Sequence, residues 1–109
     1  MRYLHIPLLV TLGWMLAGPA QPVSAGPATH TVTMDATAYA PQELAVNAGD
    51  TVVWVNQDPF PHTVTSQAGG FDSKSIAPGE SWKYKATQRG AYPYICTFHP
   101  TMKGMLRVK

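Results

Sequence analysis

The stretch from Cys96 to Met102 constrains the chain more than any other. It brings the only cysteine, His99 and a methionine together at the spacing C-x-x-H-x-x-M. A thiolate, an imidazole and a thioether on one short loop suit a soft transition metal. His62, far upstream in the chain, offers a fourth donor. Two histidines, a cysteine and a weak axial methionine form the ligand set of blue-copper sites, so we predict that these four residues bind one copper ion.

Other interpretations of the same residues are weaker. A lone cysteine often packs as a small hydrophobe, and a methionine often fills a core, but neither role accounts for two accompanying histidines. A cysteine nucleophile would need an orienting third group, of which there is no local signature. Structural zinc sites use cysteine and histidine and not methionine. Met105 is a rival axial ligand, although it follows Gly104, where we expect the last strand to begin.

The first 25 residues are typical of a secretory signal peptide. Arg2 precedes a largely apolar stretch at 6–17, and Val23-Ser24-Ala25 provides a small-residue cleavage site. We therefore predict a signal peptide at 1–25, a mature domain at 26–109 and a periplasmic location. An uncleaved membrane anchor is the alternative, but Pro7 and Gly13 interrupt an apolar stretch that is already short for a membrane span.

Charge and cysteine content exclude several classes of protein. From residue 26 onward the chain has seven Lys/Arg against six Asp/Glu, a dispersed net charge of +1. Without a basic run, the sequence does not predict a nucleic-acid partner. A single cysteine cannot close an internal disulfide, and in an exported chain metal ligation is a natural role for it.

Short alternating segments separated by turn signals predict an all-β domain, a sandwich or small barrel. Alternation places Trp82 and Tyr84 inward and the lysines beside them in water, and it places Tyr94 on the same face as Cys96. We also expect a strand that starts at His62, a mostly irregular loop at 67–78, a last strand at 105–109, and a solvent-facing side chain at His30.

Three short runs of the chain resemble the type 1 copper proteins of the cupredoxin family. They are Trp54-Val55-Asn56, Pro61-His62 and the ligand loop from Cys96 to Met102. The loop is most similar to that of the amicyanins, because plastocyanins and pseudoazurins have longer loops. The resemblance implies a Greek-key β-sandwich of roughly eight strands with copper at one end.

The resemblance also implies a role for each site residue. His62, Cys96 and His99 would be the strong equatorial ligands, with Met102 as the axial one. Asn56 would tie the ligand loops together through a hydrogen bond to the backbone or side chain of Thr97.

The function implied is that of a soluble, monomeric one-electron carrier that cycles Cu(II)/Cu(I) and is not an enzyme. A copper carrier or buffer protein is the alternative. The expected partners are redox proteins, a dehydrogenase and/or a c-type cytochrome, that dock on an apolar surface around His99. After signal cleavage we expect no stable membrane association. Phe98 and Thr101 depart from amicyanin loops, which usually have proline and phenylalanine there, and both departures lie near the expected docking surface.

Overall fold

The computed structural model describes residues 2–11, 13, 18–19, 26–68 and 70–109 of the chain. Within them there are nine strands and no helix. In chain order the strands are β1 (Thr29–Asp35), β2 (Ala38–Ala40), β3 (Glu43–Val46), β4 (Thr51–Asn56), β5 (Thr65–Ser66), β6 (Phe71–Asp72), β7 (Ser81–Lys85), β8 (Gly90–Ile95) and β9 (Lys103–Val108).

The strands form two sheets. One has the order β2-β1-β4-β7 and the other the order β3-β9-β8-β5-β6. The β1–β4 and β3–β9 pairs are parallel, and the remaining pairs are antiparallel. The predicted all-β sandwich is confirmed, with one strand more than the rough number expected.

Aromatic side chains from both sheets fill the core. In β4 every second residue is buried, and Trp54 packs edge-on against Tyr94 of the opposite sheet, with ring centroids 5.5 Å apart. Trp82 and Tyr84 face inward onto this core, as alternation predicts. Gly104 of β9 lies directly under the Tyr94 ring, and a Cβ at this position would overlap the ring. The close approach of β8 and β9 therefore requires glycine here.

The ends of β4 and β8 and the start of β9 define one end of the sandwich. The loop between β8 and β9 is held tight by three backbone hydrogen bonds: His99 N to Cys96 O (3.2 Å), Met102 N to His99 O (2.8 Å) and Cys96 N to Met102 O (3.1 Å). Because Cys96 directly follows β8 and continues its alternation, its side chain points inward and is fully buried.

Several local predictions were wrong. His62 does not start a strand: it makes an isolated antiparallel bridge with Ile76, and the strand after it is only Thr65–Ser66. The described residues of 67–78 are mostly irregular, as expected, apart from that bridge and β6, which pairs with the short β5. The last strand begins at Lys103, two residues earlier than expected.

His30 is a further correction. Its side chain is half-buried, and its Nε2 lies 2.9 Å from a carboxylate oxygen of Asp50. A buried carboxylate at this position gives the imidazole a partner that the local sequence did not reveal.

The N-terminal segment at 2–11 has no regular secondary structure and is exposed. The predicted cleavage site, Val23-Ser24-Ala25, lies outside the described residues. Among the residues that the structure describes, no helix is long and apolar enough to cross a membrane.

Candidate metal centre

Three of the four predicted ligands meet at this end of the sandwich. Cys96 Sγ lies 3.6 Å from His62 Nδ1 and 3.9 Å from His99 Nδ1, and all three atoms lie within 4.8 Å of one another. A metal bonded at about 2.0–2.3 Å to nitrogen and sulfur needs its donors roughly 3–4 Å apart. The spacing therefore fits one ion held between the three atoms.

The three side chains differ in exposure. His62 and Cys96 are fully buried, whereas His99 is partly exposed on its loop. An ion here would lie below the surface, with the His99 ring as its contact with solvent.

Met102 closes the same turn. Its N–H donates to His99 and its carbonyl accepts from Cys96, and its side chain is buried. Met105 lies in β9 between Gly104 and Leu106, both of which are buried. Since neighbouring residues of a strand point to opposite faces, Met105 points away from the core. The structure thus brings Met102 to the loop donors and leaves its rival on the outer face of the sheet.

Thr63 connects the two ligand loops. Its N–H donates to Cys96 Sγ at 3.3 Å, and its Oγ1 accepts a 2.8 Å hydrogen bond from Thr97 N. Tyr39 OH donates to the Thr63 carbonyl from the opposite sheet. A backbone donor to the cysteine sulfur fixes the direction in which that sulfur faces the two histidines.

The sequence prediction gave this connecting role to Asn56, and that was wrong. Asn56 Nδ2 donates to the carbonyls of Phe60 and Ile76, and its Oδ1 accepts from Asp58 N, so it braces the loop that leads to His62. Thr63 makes the contacts to Thr97 instead. Its position directly after His62 was the signal that could have identified it.

Asp58 is a site residue that the sequence did not reveal. Its carboxylate lies 2.6 Å from His62 Nε2 and also accepts hydrogen bonds from the N–H groups of Ala36 and Thr37. Burial alone would raise the pKa of Asp58, but the hydrogen bonds from His62, Thr37 and Ala36 together hold this pKa below its ordinary value. The carboxylate is therefore ionised at neutral pH, and it directs the Nδ1 of His62 toward the cysteine.

Two exposed phenylalanines lie at the same end. Phe60 and Phe98 are 38% and 51% exposed, and they are the only large hydrophobic residues so exposed within 26–68 and 70–109. The Phe60 ring centroid lies 5.2 Å from that of His62 and 5.5 Å from that of His99. The apolar surface predicted around His99 is thus present.

The donor set fits copper. One thiolate and two imidazoles with a buried thioether beside them combine soft and borderline ligands, which select copper over hard cations such as Mg²⁺ or Ca²⁺. Within the described part of the chain, no carboxylate shares the three-donor cluster, which hard cations would require.

Comparisons with known proteins agree with this site. The chain matches the family model of the cupredoxin-like domain over residues 8–108. It is 37% identical over 76 residues to amicyanin of Paracoccus denitrificans, covering 65% of this chain and 58% of that protein. It is 31% identical over 101 residues to amicyanin-alpha of Methylorubrum extorquens, covering 87% and 85%. A plastocyanin of Ginkgo biloba is 36% identical over 75 residues, covering 57% and 76%. The match spans only 58% of the length of both Paracoccus amicyanins that were compared.

Solved structures give the same result. The fold matches the reduced state of a proline-to-phenylalanine mutant of amicyanin with a TM-score of 0.68 and 34% identity, over 74% of this chain and 82% of that one. It also matches a copper-containing nitrite reductase of Thermus scotoductus with a TM-score of 0.71 and 33% identity, over 83% of this chain but only 25% of the enzyme. The cofactor that fits both the donors and the family is one copper ion. The chain belongs to the cupredoxin-like family, as a type 1 copper protein most like the amicyanins.

Proposed function

We propose that this protein is a one-electron carrier whose copper is held by His62, Cys96, His99 and Met102. The observation that supports the proposal is the convergence of Cys96 Sγ with the Nδ1 atoms of both histidines. Bound copper supplies a one-electron Cu(II)/Cu(I) couple. The protein acts as a carrier and not as an enzyme: its role is to hold a redox centre and present it to partners.

The residues around the donors keep them in place when the charge of the centre changes. Thr63 N–H donates to Cys96 Sγ, and Asp58 accepts from His62 Nε2. Three backbone hydrogen bonds hold the ligand loop. Electron transfer is fast when little has to move, and donors fixed by hydrogen bonds on two different loops meet that requirement.

The partly exposed His99 ring is the route by which electrons enter and leave. Phe60 and Phe98 flank it with apolar surface, and an apolar patch on a small domain is typical of an interaction site. The partners are redox proteins, a dehydrogenase and/or a c-type cytochrome, that act as electron donor and acceptor. Each complex is transient and buries less than about 1,200 Å².

The same proposal includes the location of the protein. Residues 1–25 are a signal peptide, residues 26–109 form the mature domain, and the mature protein works in the periplasm as a monomer. The apolar segment with its single early arginine and the small residues before Gly26 support this proposal.

The visible absorption spectrum of the oxidised, copper-loaded protein tests the function. We expect intense blue colour from charge transfer between thiolate and copper, and a reversible one-electron couple. Cys96→Ser should lose the colour even where copper still binds, and His62→Ala should alter it. Met105→Leu is the matched control and should leave the spectrum unchanged. A colourless site that exchanges copper readily would instead indicate a copper carrier or buffer.

A further inference from the structure

The β1–β2 turn is strained. Ala36 and Thr37 form a two-residue hairpin loop between the paired residues Asp35 and Ala38, with φ angles of 51° and 58°. Left-handed φ angles at two successive positions favour glycine or asparagine, because a Cβ crowds the following carbonyl. Neither residue is of that kind, so contacts elsewhere in the protein must hold the turn in this conformation.

Those contacts come from one carboxylate. Asp58 Oδ1 accepts from Ala36 N at 2.8 Å, and Oδ2 accepts from Thr37 N at 2.9 Å. Asp58 itself is 6% exposed, and its own N–H donates to Asn56 Oδ1. The carboxylate is thus fixed from two sides and has little freedom to rotate.

The same Oδ2 atom lies 2.6 Å from His62 Nε2. An ionised carboxylate is only an acceptor, so this contact requires the proton on Nε2. Nδ1 is the atom that faces Cys96 Sγ. The protonated nitrogen and the orientation of the ring are therefore set by the carboxylate.

From these contacts we infer that Asp58 is a positioning residue that connects the strained Ala36–Thr37 turn to His62, so that the turn helps fix which nitrogen of His62 binds copper. The inference rests on the proposed ligand set only for its effect on copper; the state of the His62 ring in the metal-free protein does not depend on it. The turn joins β1 and β2 and not the strands of the ligand loop, and the contact that links it to the His62 ring is this one carboxylate.

Asp50 provides a matched control. It is buried, accepts from the N–H groups of Ala28 and Asn47, and lies 2.9 Å from His30 Nε2. Like Asp58, it thus has two backbone N–H groups and one histidine as partners, but none of them belongs to the predicted metal site. Asp50→Asn removes comparable contacts without touching the route to His62.

The experiment compares Asp58→Asn with Asp50→Asn in the full chain. Nitrogen-15 NMR of the metal-free protein identifies the protonated nitrogen of His62, and competition with a Cu(I) chelator gives the dissociation constant for Cu(I). We expect Asp58→Asn to introduce the second tautomer of His62 and to raise the dissociation constant about 10–100-fold, the usual effect of removing a partner of a metal-bound histidine. Asp50→Asn should change neither quantity. An unaltered His62 in Asp58→Asn, or an equal loss in Asp50→Asn, would overturn the inference.

A second pair of variants leaves Asp58 intact. One glycine inserted between Ala36 and Thr37 redirects the two N–H groups, and one inserted between Gln88 and Arg89, before β8, is its control. We expect only the first insertion to alter the His62 tautomer and weaken Cu(I) binding. If it changes stability without any effect on His62, the turn does not position the ligand. A His62→Ala protein that keeps its blue colour would contradict the ligand set and not the link between Asp58 and His62, so the two failures are distinguishable.

Discussion

Asp50 directly precedes strand β4 and Asp58 follows its end, and the two carboxylates have matching sets of hydrogen-bond partners. Each carboxylate binds two backbone N–H groups and the Nε2 of one histidine. The partners of Asp50 are Ala28, Asn47 and His30, and those of Asp58 are Ala36, Thr37 and His62. Because β1 and β4 run parallel, the two aspartates fasten β1 near both of its ends. Asp58 contacts the predicted ligand His62, whereas the partners of Asp50 lie outside the predicted metal site.

The hydrogen bonds of Asp50 should make the stability of the protein depend on pH in the acidic range. Hydrogen bonds from Ala28 N first, and then from His30 and Asn47, lower the pKa of Asp50 from 3.8 to about 2. A carboxyl group with a lowered folded-state pKa contributes stability above its unfolded pKa and loses it as pH falls through the folded value. We expect the difference in melting temperature between the wild type and Asp50→Asn to be constant above about pH 4 and to shrink toward pH 2. A difference that stays constant down to pH 2 would contradict this account.

Adding a single methyl group at Gly104 should lower the stability of the fold strongly. A Cβ at this position would overlap the ring of Tyr94, which is buried and cannot move aside. We expect Gly104→Ala to destabilise the fold by about 1–3 kcal/mol or more in chemical denaturation, as overpacking of a core does. Gly26→Ala, where the Cβ would meet nothing within 4 Å, is the control and should be neutral. Tyr94→Leu combined with Gly104→Ala should be less destabilised than the sum of the single variants.

The hydroxyl group of Thr63 should contribute more to stability than the shape of its side chain does. Thr63→Val keeps the volume and the backbone donor to Cys96 Sγ, but it leaves Thr97 N without its acceptor. We expect a loss of about 1–3 kcal/mol in the free energy of unfolding. The blue absorption should persist, because the N–H to the sulfur remains. Thr63→Ser, which retains the hydroxyl, should restore most of the stability; if it does not, the methyl group and not the hydrogen bond carries the effect.

A charged residue in place of Phe98 tests where the redox partner docks. Replacing an exposed apolar ring next to His99 with a charged side chain should weaken a transient apolar contact without altering the donors. We expect Phe98→Lys to slow second-order electron transfer with the redox partner while the absorption spectrum is unchanged. Thr31→Lys adds the same charge at an exposed position on β1, away from this surface, and should leave the rate unaffected. Equal rates in all three proteins would place docking elsewhere.

The sequence predicted those parts of the molecule that local chemistry determines. Alternation was sufficient to orient Trp82, Tyr94 and Cys96, because one face of each strand is buried. The cluster of His62, Cys96 and His99 followed from their residue types and the short loop. Alternation and the loop spacing are carried by neighbouring residues, whereas His62 was assigned from its residue type and from the resemblance of Pro61-His62 to the type 1 copper proteins.

The parts that failed depend on contacts between distant residues. His30 was expected to face solvent, but its partner Asp50 is 20 residues away. Asn56 was assigned to Thr97, but the loop from 57 to 62 folds back on Asn56 and takes up its side chain. Thr63 and Asp58 gain their roles only when β2 and the β1–β2 turn pack against the metal end. The position of Thr63 directly after His62 is the only hint of these contacts that the local sequence offers.

Replacing either methionine of the C-terminal region with glutamine should affect the reduction potential at one position and not at the other. Met102 is buried and shares backbone hydrogen bonds with Cys96 and His99, whereas Met105 lies on the outer face of β9. A glutamine oxygen at the axial position stabilises Cu(II) relative to a thioether, so Met102→Gln should lower the potential by about 59 mV for each tenfold change in relative affinity for the two oxidation states. Met105→Gln should leave it unchanged. Voltammetry of both variants measures the two effects side by side. A shift with Met105→Gln and none with Met102→Gln would move the axial ligand into β9, which would require that strand to turn its outer face toward the site.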